Sequence, residues 1–232
     1  RPELRAEIRA VMEAGGEDWE NWFDHTSQDW DKVLVIYAKN AADRVVEGKS
    51  VAEGARVLGT DPWTLFFDLI QAGDVVVTPE VLDEAQKRLA LKQPWMMVET
   101  DMSPVNPDTA VSSHPRAFGA FPRVLAKYVR EEGLLSLEEA IRRMTWLPAR
   151  FLGLQDRGLI AIGMVADLAL FDPERVQDKA TYTAPLQQSE GIDHLWVNGI
   201  AVIRDGSLTH ARPGQIVKPN RRPTGLPVVQ SD

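Results

Sequence analysis

The chain has 232 residues, of which 44% are hydrophobic and 26% are charged, and its formal net charge is −8. This composition can build one large or two small folded domains and excludes wholesale disorder. The acidic balance, without a stripe of Lys and Arg, excludes a protein that tracks a nucleic-acid backbone. No cysteine is present, so disulfides, zinc ribbons and cysteine nucleophiles are excluded within this chain.

The apolar segments are short. None reaches the roughly 18 residues that a membrane-spanning helix needs, so no membrane partner is expected. The first residues, Arg1-Pro2-Glu3-Leu4, lack an initiator Met and an apolar signal core, as in a processed chain or a fragment. We predict a cytoplasmic protein.

The first third is predicted to be mainly helical. Apolar residues recur at helical spacing from Leu4 to Met12, and the dipeptides Ser50-Val51 and Asp61-Pro62 have the capping chemistry of two further helix starts. A tryptophan-rich stretch precedes a short strand at 33–37. These tryptophans could line a substrate cleft, although large aromatic residues more often form the core.

The middle third has the pattern of a parallel βαβ unit. An apolar strand at 75–77 precedes a helix at 79–91, and a second apolar strand covers 95–99. The second strand ends at Asp101, and a long loop rich in Pro, Ser and Asn extends to Arg116. Helices are predicted over 121–131, over 136–144 and from Pro148.

The remaining residues have the pattern of strands and turns. Strands are predicted at 159–161, 165–171, 195–197 and 200–203. The dipeptide Asn198-Gly199 predicts a type I′ hairpin, because both residues accept positive φ angles. From Pro219 onward we expect an exposed tail.

Asp101, His114 and Arg116 are the residues most suited to chemistry. A carboxylate at the carboxyl end of a parallel strand is typical of catalytic groups in barrel enzymes, although an Asp that caps its own loop has the same local sequence. Arg116 could bind a carboxylate through its planar fork or pair with a nearby acid on the surface. His114 could move a proton, bind a ligand or hydrogen-bond within its loop. No His-x-His or His-x-x-x-His spacing occurs, so the chain cannot form a zinc site alone.

The ordered motifs from Thr100 to Gly214 resemble the N-acyl-D-amino-acid deacylase (D-aminoacylase) family of metal-dependent amidohydrolases. The motifs are Thr100-Asp101, His114-Pro115-Arg116 with the following helix, Tyr128-Val129-Arg130, 137–145, Leu147-Pro148-Ala149, Asp156-Arg157-Gly158, 163–168, Phe171-Asp172-Pro173, Val197-Asn198-Gly199 and Arg212-Pro213-Gly214. The chain departs from the family pattern at one motif: it has Thr100-Asp101-Met102, where the family more often has Ser-Asp-Gly.

The resemblance implies an α/β fold: the carboxyl-terminal part of a (β/α)8 TIM barrel plus part of a small β-sandwich. It implies a mostly helical insertion or lid with a barrel helix at 1–73 and the last barrel strands and helices at 74–152. Part of the sandwich would cover 153–218, and a tail 219–232. One or two zinc ions are implied, ligated mostly by residues outside this chain.

The resemblance also implies roles for individual residues. Asp101 would touch the metal and act first as general base and then as acid, Arg116 would bind the substrate's α-carboxylate, and His114 would orient that loop. The implied reaction is hydrolysis of an N-acyl-D-amino acid. The implied partner is the amino-terminal half of the same enzyme, as a separate chain or as a segment outside this sequence, and activity would need that half. A homo-oligomer is left open.

Two alternatives remain. The first is a cyclic-amide hydrolase of the dihydroorotase or hydantoinase kind, against which the His114-Pro115-Arg116 block argues. The second is a non-catalytic structural half, in which Asp101 is an ordinary loop residue.

Overall fold

The computed structural model describes residues 1–15, 18–40, 42–110 and 112–219. The chain divides into two units, Arg1–Glu84 and Ala85–Asp232. The predicted tail at 219–232 lies, apart from Pro219, outside the described residues. None of the helices in the described ranges is long and apolar enough to cross a bilayer.

The first unit combines helices with one pair of strands. Its elements are α1 (Pro2–Ala14), α2 (Trp22–His25), a 3₁₀ turn (Trp30–Lys32), β1 (Val33–Ala38), a second 3₁₀ turn (Asp43–Val46), α3 (Val51–Leu58), α4 (Pro62–Ala72) and β2 (Val75–Pro79). The predicted caps are present. The Ser50 hydroxyl accepts from the Glu53 N–H at 3.0 Å, and Asp61 accepts from two N–H groups at the start of α4.

The core of this unit is aromatic. Trp30 lies between Phe23 and Trp63, with ring centroids 4.4 and 4.9 Å away. Val35, Val46 and other aliphatic residues surround this cluster and are fully buried. In the tryptophan-rich stretch, Phe23 and Trp30 are therefore core, whereas Trp19 and Trp22 are 42% and 53% exposed. The cluster joins the strands to α4.

The predicted parallel pairing of 75–77 with 95–99 is wrong. Strand β2 instead pairs antiparallel with β1, with Val35 opposite Val77, and residues 95–99 form no strand in this structure. The backbone N–H groups of that segment have other partners: the Met96 N–H donates to Gln93 O, and the Val98 N–H donates to Arg143 O at 3.5 Å. A strand needs a neighbouring edge, and within the described residues this segment has none.

The second unit begins with helices. They are α5 (Glu84–Leu91), which starts at the unit boundary, α6 (Arg116–Arg123), α7 (Leu137–Met144) and α8 (Trp146–Phe151). Between α6 and α7 the chain continues as a π-helical segment (Val124–Glu131), so the predicted helix at 121–131 starts earlier and is longer. Ser136 caps α7 as expected. Leu125, Tyr128, Ala140 and Val176 are among the buried core residues.

A four-stranded antiparallel sheet follows, with strand order β3-β4-β5-β6. The strands are β3 (Leu168–Phe171), β4 (Ile192–Val197), β5 (Ile200–Arg204) and β6 (Ser207–Leu208). The predicted hairpin between β4 and β5 is present, and Asn198 and Gly199 have φ angles of 50° and 77°. Residues 159–161, which were predicted to form a strand, are irregular.

Several of the quoted motifs meet at one point beside this sheet. Asp167 accepts from the Asn198 N–H at 2.8 Å and pairs with Arg157 at 2.8 Å. The Gly199 N–H donates to Ala166 O, and the Asn198 amide donates to Pro213 O. These motifs therefore fix the turns of the sheet.

Candidate active site

The structure brings Asp101 and Arg116 together. The Arg116 Nη2 atom lies 2.8 Å from the Asp101 Oδ2 atom, at the end of the long loop that separates the two residues in sequence. The Asp101 side chain is 72% exposed and that of Arg116 is 42% exposed, so both face solvent. Asp101 has a φ of 46°, in the left-handed region that residues other than Gly rarely adopt. Such backbone strain is concentrated at functional sites.

His114 belongs to the same loop and contacts the Arg116 backbone. Its Nδ1 atom accepts from the Arg116 N–H at 3.1 Å, so the proton of the neutral ring is on Nε2. Burial of the ring and the nearby Arg116 charge lower the pKa of His114, while Asp101 opposes the shift. His114 is therefore suited to orient Arg116 as a neutral hydrogen-bond acceptor.

Helix α6 places Arg116 at its first residue. Pro115 precedes it with helical backbone angles, which prepares the chain for helix entry. Pro122 lies within α6 and has no N–H to donate, and the backbone continues from Val124 with π-helical hydrogen bonding. The position of the Arg116 backbone is therefore held by the preceding loop, by Pro115 and by the start of α6.

A second segment lies along α6, and sequence reasoning missed it. We call residues 173–190 the strap. The strap's Ser189 hydroxyl donates to Phe118 O at 2.6 Å, and its Asp178 carboxylate pairs with Arg123 at 3.0 Å. The ring of Tyr182 meets that of His114 edge-on, with centroids 5.1 Å apart. The only sequence signal was Arg130 in the Tyr-Val-Arg motif, which binds the strap.

The described residues contain no cluster of three or more His, Asp or Glu side chains that could hold a metal. Asp101 and His114 both have the chemistry of a zinc ligand, but the Asp101 Oδ2 atom is paired with Arg116 and the His114 Nδ1 atom accepts from a backbone N–H. A tetrahedral zinc site needs about four ligands, so the described residues do not complete one.

A separate apolar cleft lies within the first unit. Its volume is about 310 Å³, and it is lined by Met12, Trp22, Phe23, Trp30, Val33, Phe66, Val77 and Pro79. Trp22 is half exposed at this cleft. Within the part of the chain that the structure describes, the buried Trp30 Nε1 atom has no hydrogen-bond partner.

A family model described as "Amidohydrolase family" matches residues 13–203. The chain therefore belongs to the amidohydrolase family. Within that family, the predicted resemblance to N-acyl-D-amino-acid deacylases is confirmed by its relatives. The chain is 41% identical over 180 residues to an N-acyl-D-glutamate deacylase of Alcaligenes xylosoxydans xylosoxydans, covering 78% of this chain and 35% of the relative.

Two further proteins show the same likeness. An N-acyl-D-aspartate deacylase of the same organism is 40% identical over 81% of this chain and 36% of the relative. The crystal structure of an N-acyl-D-glutamate deacylase from Bordetella bronchiseptica, complexed with zinc and a phosphonate inhibitor, matches with a TM-score of 0.63. That match is 32% identical and covers 79% of this chain and 38% of the other. The chain thus spans little more than a third of the length of these relatives.

Proposed function

We propose that this chain is the carboxyl-terminal part of a zinc-dependent enzyme that hydrolyses the amide bond of N-acyl-D-amino acids. The ion pair between Asp101 and Arg116, on the motif shared with the deacylase family, carries this proposal. The ion pair supports the proposal because a carboxylate that can accept a proton lies beside a cation that can bind a carboxylate, and hydrolysis of such a substrate requires both groups.

The role of Asp101 is to move one proton. It would accept a proton from the attacking water and deliver it to the nitrogen of the leaving amine, while the C–N bond breaks and the acyl carbon gains the hydroxyl oxygen. A zinc ion, when bound, lowers the pKa of water and polarises the amide carbonyl. The exposed position of Asp101 supports this role, because both water and substrate can reach the carboxylate.

The role of Arg116 is to bind the α-carboxylate of the substrate. A guanidinium offers five N–H donors, so one arm can stay near Asp101 while another binds the substrate. His114 would orient this loop through its hydrogen bond to the Arg116 N–H. Such binding distinguishes a free amino acid derivative from a neutral amide.

The remaining ligands and strands are proposed to come from the amino-terminal half of the enzyme. We propose that 1–73 form a lid-like insertion with a barrel helix, that 74–152 hold the last barrel strands and helices, and that 153–218 form part of a β-sandwich. Apolar side chains on the four-stranded sheet support a missing partner, since Leu170, Ile200 and Leu208 are each more than half exposed. Residues 95–99 would then find a strand neighbour.

The test uses the full-length protein loaded with zinc and measures release of free amino acid from N-acetyl-D-glutamate, N-acetyl-D-aspartate and N-acetyl-D-leucine. We expect turnover of at least one D substrate and little of its L counterpart. Asp101→Asn should lower kcat by about 10²- to 10⁴-fold. Arg116→Ala should raise KM by roughly 10- to 100-fold, as expected for a charged hydrogen bond.

Matched controls lie outside the site. Asp205→Asn, at an 84% exposed carboxylate, and Arg56→Ala, at a 70% exposed ion-paired guanidinium, should change neither constant. Preferential turnover of dihydroorotate or hydantoin would favour the cyclic-amide alternative. Full activity of Asp101→Asn would contradict the catalytic assignment, and a zinc-loaded protein without hydrolase activity would favour the structural alternative.

A further inference from the structure

We propose that the strap, residues 173–190, positions the substrate-binding arginine, and that Tyr182 is the residue through which it acts. This inference rests on the proposed function of Arg116. It adds a positioning role for a segment that carries none of the family's chemical motifs beyond its first residue.

The strap is anchored at one end by Arg130. The guanidinium donates to Pro173 O at 3.0 Å, to Val176 O at 2.7 Å and to the Gln177 side chain at 2.8 Å. The Val176 side chain is fully buried in the core of the second unit. Because Arg130 lies on the helical segment that continues α6, the strap and the Arg116 helix share one support.

The strap then follows α6 closely. Asp178 pairs with Arg123 at the end of α6, and a Cβ on Gly119 would lie 3.2 Å from the Asp178 Cβ. A side chain at position 119 would therefore push the strap away. Ser189 closes the contact from the other end by donating to Phe118 O. These contacts fix the distance between the strap and the first two turns of α6.

Tyr182 completes a path from the strap to the candidate site. Its ring meets the His114 ring edge-on, the His114 Nδ1 atom holds the Arg116 N–H, and Arg116 pairs with Asp101. Within the described residues the Tyr182 hydroxyl has no hydrogen-bond partner, so the ring makes the contact. Removing the ring would free His114 to rotate and would release the Arg116 backbone.

The first test measures hydrogen exchange of backbone amides by NMR in the full-length protein. Tyr182→Ala should speed exchange of the Arg116 amide by about 3- to 10-fold, the size of an aromatic pair contact, and Tyr182→Phe should not. Thr183→Ala is the matched control, because its side chain contacts only the strap. Unchanged exchange at Arg116 in Tyr182→Ala would overturn the proposal, and so would equal acceleration along all of α6 and α7.

The second test separates positioning from general damage. In the zinc-loaded full-length protein, Tyr182→Ala should raise KM for an N-acetyl-D-amino acid by about 3- to 10-fold and leave kcat/KM for the corresponding α-carboxamide unchanged. Tyr182→Phe should restore the wild-type KM. Equal losses on both substrates would overturn the proposal.

Arg116→Ala shows which proposal has failed. If it raises KM for the free acid and Tyr182→Ala does not, the positioning role of the strap is wrong and the proposed function stands. If Arg116→Ala itself leaves KM unchanged, the proposed function is wrong, and the positioning inference is overturned with it.

Discussion

The Arg116 Nη2 atom lies 2.8 Å from the Asp101 Oδ2 atom, and both side chains remain substantially exposed. An exposed ion pair of this kind contributes only about 0–1 kcal/mol. The ion pair can therefore loosen at little cost in free energy when another arm of Arg116 binds a substrate carboxylate, and Asp101 can then accept a proton.

Replacement of Arg116 by Lys tests whether the planar fork matters. Arg116→Lys keeps the charge and loses bidentate binding, so we expect KM for an N-acyl-D-amino acid to rise about 10-fold, less than in Arg116→Ala. Steady-state kinetics on the full-length protein measure this, with Arg56→Lys, at an exposed arginine outside the strap, as the control. A KM equal to that of wild type would show that charge alone suffices.

Arg130 is expected to stabilise the second unit through the strap. Arg130→Met removes all three hydrogen bonds and leaves two carbonyl groups without their donor, so the free energy of unfolding should fall by about 2–4 kcal/mol. Urea denaturation measures this change. Arg56→Met, which removes an exposed ion pair with Asp31 outside the strap, should cost less than about 1 kcal/mol. Equal costs for the two variants would refute the anchoring role.

Gly191 and Gly133 form a matched pair. Both have positive φ, but a Cβ on Gly191 would lie 2.4 Å from the Val176 N atom, whereas one on Gly133 would meet no atom within 4 Å. Gly133→Ala should cost only the left-handed backbone strain of about 1–2 kcal/mol. Gly191→Ala should cost about 1–3 kcal/mol more, because the strap must move. Similar melting temperatures for the two variants would contradict this.

Glu139 makes the stability of α7 depend on pH. Hydrogen bonds from Arg142 and Arg143 lower the pKa of Glu139 to about 2 from an ordinary 4.5. A lowered pKa in the folded state stabilises the protein above the unfolded value, so this contribution is complete above about pH 4.5 and is lost as the pH falls toward 2. Glu139→Gln should lower stability at pH 7 by about 1.5–3 kcal/mol and much less at pH 2.5. Thermal unfolding at both pH values measures this, and an equal loss at each would contradict the ion-pair explanation.

Measurement of zinc content tests the proposal that most ligands of the metal site lie outside this chain. We expect the full-length protein to retain one or two zinc ions after dialysis and this chain alone to retain essentially none, because only Asp101 is proposed as a ligand from this chain. Elemental analysis by mass spectrometry measures both. One tightly bound equivalent on the isolated chain would show that its own residues form a site.

Local signals predicted much of the secondary structure. The capping residues Ser50, Asp61 and Ser136 begin their helices as expected, because an N-cap acts through backbone groups only two or three residues away. The turn at Asn198-Gly199 is equally local. The segment at 95–99 was misjudged, because an apolar run indicates burial but not which edge it pairs with.

The candidate site was likewise predicted only in part from the sequence. The motifs identified three candidates, Asp101, His114 and Arg116. An ion pair with a nearby acid was one of the alternatives for Arg116, and the structure shows such a pair with Asp101 at 2.8 Å. The strap was missed because its contact residues, such as Asp178 against α6 and Tyr182 against the loop before it, have no periodic or motif pattern.

By itself the sequence determined the family, the candidate residues, the capped helix starts at Ser50, Asp61 and Ser136 and the hairpin turn, since each depends on neighbours in the chain or on residue chemistry. It misplaced the start of the helix predicted at 79–91, which begins at Glu84. Only the tertiary structure decided that β2 pairs with β1 and that Arg130 holds the strap beside α6. Those arrangements depend on contacts between residues far apart in the chain, such as Ala38 and Val75, 37 positions apart, and Arg130 and Val176, 46 positions apart. Such contacts arise from packing and loop closure, which local sequence does not encode.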